Sequence, residues 1–153
     1  MALAGKADDL LQTPPFLDTS AISRIRHAIE VRHPSFATPG FLEQLRRHNV
    51  ALVAADTVDW PAFDQTADFA YLRLQGAPGA ESYSPGQLSV RVGWLADIAA
   101  GRTPAGAPML GPPEADAPPR DVYAFFVSTD KENAPLNARA VMAERGIKGP
   151  GEQ

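Results

Sequence analysis

The stretch HAIEVRH, residues 27–33, ends on Glu30, Arg32 and His33. A carboxylate, a guanidinium and an imidazole within four positions can shuttle protons or grip an anion. If the stretch is a strand, alternation puts Ala28, Glu30 and Arg32 on one face and Ile29, Val31 and His33 on the other. In DFAYLRLQG, residues 68–76, Phe69, Tyr71, Arg73 and Gln75 share a face, and Ala70, Leu72 and Leu74 share the opposite one. Each strand thus has an apolar face and a face that turns polar toward its C-terminal end. An unpaired buried charge costs several kcal/mol, so Glu30, Arg32 and Arg73 must pair with one another or face water. Arg73 suits a planar phosphate or carboxylate, and an ion pair with Glu30 or Asp56 explains it equally well. Asp56, directly after the apolar run VALVAA, has the form of a general base, with capping of the following loop as the structural alternative. His33, Asp56 and Glu30 together would make a hard-ligand metal site, but His27, His33 and His48 form no ligand set, and neither a metal nor a cofactor is expected. No G-x-S-x-G elbow supports a serine nucleophile.

The elements that must position these groups are legible in outline. In ATPGFLEQLRRHN, residues 37–49, Thr38 can cap a helix, Pro39 suits its first position, and Phe41, Leu42 and Leu45 form a stripe that Asn49 ends. VALVAA, residues 50–55, is apolar without alternation, which predicts a strand covered on both faces. In SPGQLSVRVGWLADIAAG, residues 84–101, Ser84 and Gln87 match a capping box, Leu88, Val92, Leu95 and Ala99 share a face, and Gly101 ends the helix. DVYAFFVS predicts a final buried strand, and APLNARAVMAERG a final helix closed by Gly146. Apolar strands separated by helices predict an α/β fold with a parallel sheet and flanking helices. The lack of a glycine-rich turn argues against a dinucleotide-binding domain. Six prolines between Gly101 and Arg120 predict a surface loop or mobile insertion, and residues 147–153 a disordered tail.

With 153 residues, 44% hydrophobic and 21% charged, the chain has the make-up of one globular domain. It contains no run of about 18 apolar residues, and Asp8 and Asp9 interrupt what a signal peptide would need, so a cytoplasmic, non-membrane protein is expected. The absence of cysteine excludes disulfides and thiolate chemistry. A net charge of -4 makes nucleic acid an unlikely partner, because phosphate binding needs a basic patch.

The succession EVRHPSF, VALVAADT, TADFAYLRLQGAPG, YSPGQL and DVYAFFVSTDKENAPLNA resembles the YecE-like family, also called DUF72. The likeness covers roughly residues 26–145. It implies a TIM barrel, normally of about 250 residues, and a biochemical function that is not established. The family's first half is absent. LLQTPPF at residues 10–16 resembles a family strand end, followed here by a shortened connection. The resemblance therefore implies a half-barrel of four or five strands over residues 26–146, preceded by a shortened, partly ordered junction over 1–25. Four or five strands cannot close an eight-stranded cylinder, so a homodimer or a separate N-terminal half chain is expected to cover the open edges. Glu30 and Arg32 match the family's E-x-R pair, whereas Gln75 stands where relatives commonly have His, which puts catalysis in doubt. Asn137, in APLNA, acquires a capping or positioning role.

These readings combine into one expectation. An anionic small molecule or phosphoester binds at the C-terminal ends of the strands through Arg32, His33, Arg73, Gln75 and Asn137, with Glu30 or Asp56 as base. The alternative is a non-catalytic remnant or interaction subunit that completes its barrel with a second chain.

Overall fold

The computed structural model describes Ser20 and residues 24–57, 62–76, 79–112, 117–127 and 131–149. Most of the expected junction, the loop residues Trp60 and Pro61, and residues 150–153 of the tail lie outside the described residues. The element order is β1 (His27–Ile29), a 3-10 turn (Pro34–Phe36), α1 (Pro39–Arg47), β2 (Val50–Ala55), β3 (Phe69–Leu74), α2 (Pro85–Ala99), β4 (Asp121–Phe126) and α3 (Asn133–Glu144). The strands form one sheet in the order β1-β2-β3-β4, every neighbour parallel. This is the expected α/β fold, a TIM-barrel-like sheet that is not closed.

Local chemistry accounts for most boundaries. Thr38 Oγ1 accepts the Phe41 amide at the start of α1. After that helix, Asn49 takes a positive φ of 51° and exchanges hydrogen bonds with Asp68, which ties the end of α1 to the start of β3. Ser84 and Gln87 form the reciprocal capping box of α2. The chain leaves α2 through Gly101, whose φ of 79° suits glycine. A Cβ at Gly101 would also lie 1.8 Å from the Ala117 carbonyl oxygen.

Two apolar clusters hold the layers. Val31, Leu42, Leu45 and Leu52 pack α1 on the β1–β2 end. Ala54, Leu72, Leu74, Val92, Leu95, Ile98 and Val141 pack α2 and α3 on the β3–β4 end.

Three expectations change. β1 stops at Ile29 and its three residues are exposed, because among the described residues only β2 flanks it. β4 is a half-exposed edge instead of a buried strand, since no described strand lies beyond it. The described part of the β2–β3 connection is a loop, as expected, and a packed one: Ala62 to Thr66 run buried, and Thr66 Oγ1 accepts the Leu52 amide and donates to the Val50 carbonyl. The described part of the proline-rich loop is packed. Phe63 bonds to Pro108 and Leu110 through backbone, Gln65 to the Arg102 carbonyl, and the Trp94 indole to the Ala105 carbonyl. Proline removes ladder donors, but it leaves carbonyls free to accept, and the loop uses them.

Candidate functional site

The parallel strands all end on one side, and the polar residues of the strand faces gather there. Glu30 follows β1, Asp56 follows β2, and Arg73 and Gln75 stand at the end of β3. Glu30 is the centre of the first cluster. Its Oε1 accepts from Arg32 Nε at 2.7 Å, with Arg32 Nη2 at 2.6 Å, and its Oε2 accepts from Arg73 Nη1. The Glu30 side chain is 17% exposed, Arg73 28% and Arg32 66%, so the pair with Arg73 is the protected one. Partial burial pushes the Glu30 pKa upward, but the hydrogen bonds from Arg73 and Arg32 outweigh it and hold the carboxyl below its usual range. One carboxylate shared by two guanidiniums leaves the cluster with an excess of positive charge.

Asp56 forms a second cluster. Its Oδ1 accepts the amides of Gln75 and Gly76 at 2.6 and 3.2 Å. Its Oδ2 accepts the Tyr83 hydroxyl at 2.7 Å and Arg91 Nε at 3.1 Å. These four donors match the roughly four lone-pair sites of a carboxylate. The Asp56 side chain is 4% exposed. Burial first, and then the hydrogen bond to Asp56, drive the Tyr83 pKa far above the normal phenol value, so its hydroxyl stays a donor. Asp56 therefore fixes the turn after β3 to the entrance and second turn of α2. These bonds reach the turn after β3 and helix α2, rather than the loop that directly follows β2, where capping was expected.

The remaining candidates are dispersed around these clusters. His33 is exposed, and its Nδ1 caps the 3-10 turn by accepting the Ser35 amide at 3.2 Å. Asn137 lies inside α3 and caps nothing: α3 has no side-chain cap, and Asn137 Oδ1 accepts from Ser82 Oγ at 3.0 Å. The side-chain nitrogens of Gln75 and Asn137 are buried donors without a partner. Among the described residues no group of three His, Asp or Glu is placed to hold a metal, so His33, Asp56 and Glu30 are not a ligand set.

A parallel strand sheet whose polar ends converge, carrying an E-x-R pair bonded to an arginine two strands away, is the arrangement that the sequence motifs implied. The profile of the family described as "Protein of unknown function DUF72" matches residues 5–152. The chain belongs to the DUF72 family. Its fold is similar to the crystal structure of a DUF72 family protein from Enterococcus faecalis V583, with a TM-score of 0.60 and 15% sequence identity. That likeness covers 82% of this chain and 51% of the relative, so the chain spans about half the length of the solved DUF72 protein. No curated protein matches.

Within this DUF72 chain, sequence reasoning missed Arg91, Ser82 and the bonding role of Tyr83. Arg91 carried a signal. It lies three residues after Leu88 and one before Val92, on the stripe that α2 buries, and a cation there needs a buried partner. Asp56 is that partner. No comparable pattern marked Ser82, which reaches Asn137 across 55 positions.

Proposed function

We propose that this DUF72 domain binds an anionic small molecule, of the phosphoester or carboxylate class, at the C-terminal ends of β1 and β3. The observation that carries this reading is the sharing of Glu30 by Arg73 and Arg32. Arg73 uses one of its five N–H donors on Glu30, so several remain for the oxygens of a planar or tetrahedral anion. Gln75, two residues on and on the same strand face, adds an unpaired amide donor. Arg32, more exposed, closes on the ligand from the rim. His33 beside it supplies a further polar contact, and Asn137 a second unpaired amide.

Glu30 and Asp56 take positioning roles in this reading instead of the catalytic ones expected from sequence. Glu30 is a poor proton acceptor because two guanidiniums stabilise its charged form. Asp56 has four donors on its two oxygens. The reading is therefore of a binding site without an available carboxylate base.

Thermal unfolding in inorganic phosphate, against chloride at equal ionic strength, tests it. Phosphate should raise the Tm of the wild-type chain, and a ligand at 100 times its Kd stabilises by about 2.7 kcal/mol. Arg73→Ala should abolish that increment. An unchanged phosphate response in Arg73→Ala would remove Arg73 from the site.

A further inference from the structure

We propose that two copies of this chain close one eight-stranded barrel, the β4 edge of each pairing in parallel with the β1 edge of the other. This goes beyond the anion site and does not rest on it. Among the described residues four strands lie in sequential order, all parallel, and no described strand lies outside β1 or β4, so the described sheet has two edges of the same polarity. A half-turn about an axis along the strands keeps their direction. It therefore sets β4 against the partner's β1 in parallel at both junctions, which makes the assembly closed and symmetric. A two-fold across the strands would make antiparallel junctions and break the barrel.

The count also fits. Eight strands give an interior that side chains just fill. The matched region, 82% of this chain, covers 51% of a solved DUF72 protein, so two copies of that region span about the length of one.

The exposed surface lies where this assembly needs it. Of the nine large hydrophobics exposed among the described residues, Ile25 and Ile29 flank or lie on β1, and Tyr123, Phe125 and Val127 lie on or follow β4. Neither edge strand carries the lysine or proline that usually blunts a free edge. The sheet face opposite the helices is aromatic. Tyr71 stacks on Phe125 with centroids 4.7 Å apart, Phe69 meets Tyr123 edge-on at 6.1 Å, and Arg26 lies over Phe69 and Tyr123. That face has the character of a barrel interior, and a second copy's equivalent face would cover it.

Because the chain has no cysteine, its edges can be labelled singly. Light scattering on the wild-type chain at micromolar concentration should give twice the 16.3 kDa chain mass. Ile29→Cys on β1 and Ala124→Cys on β4 both fall at exposed positions. Co-expressed, the two variants should be joined by a short bis-maleimide at least tenfold more efficiently than either variant alone. The double variant should stop at covalent dimers. A monomeric wild-type mass overturns the proposal, as does crosslinking within a single-variant sample, which would mean like edges meeting. A ladder of higher oligomers from the double variant overturns closure.

Discussion

Asp56 is held by donors that come from three places in the chain: the turn at Gln75 and Gly76, the loop residue Tyr83, and Arg91 within α2. Removing the carboxylate leaves Arg91, whose side chain is 18% exposed, without its counter-charge. Asp56→Ala should therefore cost about 3–5 kcal/mol, measured as a lower urea midpoint at constant m. Tyr83→Phe removes one donor of a charged hydrogen bond and should cost about 1.5–3 kcal/mol. If Asp56→Ala unfolds at the wild-type midpoint, the hub does not organise the loop. Glu30 makes a prediction about pH. Its folded pKa is lowered, so its contribution to stability is present above the ordinary carboxylate value of about 4.5 and is lost as pH falls through the lower folded value. Wild type should lose stability relative to Glu30→Gln only on that acid limb, with the gap constant from about pH 6 to 8. The pairing of Glu30 with Arg73 was legible only as one of two ion pairs open to Arg73, with Glu30 or with Asp56, because strand alternation and the cost of burying charge restrict the partners without choosing between them. The role of Asp56 was not, because its donors lie 19 to 35 positions away and nothing local ties them together.

α2 is the element on which the larger apolar cluster depends, and Ile98 at its last turn is fully buried. Ile98→Ala should cost about 2–5 kcal/mol. Gly101→Ala should cost more than about 1 kcal/mol, since it combines a positive φ with a collision against the Ala117 backbone. Chemical denaturation of the two variants checks both figures. Helices α1 and α2 and strands β2 and β3 could be read from the sequence because their caps, stripes and apolar runs are local signals. The stripe of α2 shifted slightly, with Ile98 fully buried where Ala99 was expected to pack. Burial of β1 and β4 could not be read in that way. An apolar run reports what a residue prefers, whereas exposure depends on whether a neighbouring strand exists. The proline-rich loop misled for a related reason: its composition reports missing donors, while its order comes from carbonyls that Phe63, Gln65 and Trp94 happen to reach.

The described residues form an open parallel sheet with helices on one side and an aromatic face on the other. Among the described residues no helix is long and apolar enough to cross a membrane. The DUF72 fold was legible from the order of motifs, and the edges of the described sheet follow from its four strands. At this scale the order of assembly is constrained as well. Ala28 pairs with Ala51, but Phe69 pairs with Asp121, so the ends of the β3–β4 junction are separated by more than twice as much chain as those of β1–β2. Loop closure disfavours the wider separation, though only logarithmically with length, and that segment also contains α2. The β1–β2 unit is therefore expected to gain hydrogen-exchange protection before β4 during refolding, leaving the edge of β3 transiently open. A chain arrested at that stage would offer β3 to any strand nearby, so dilution and prompt formation of α2 should decide how much of the protein reaches its native sheet.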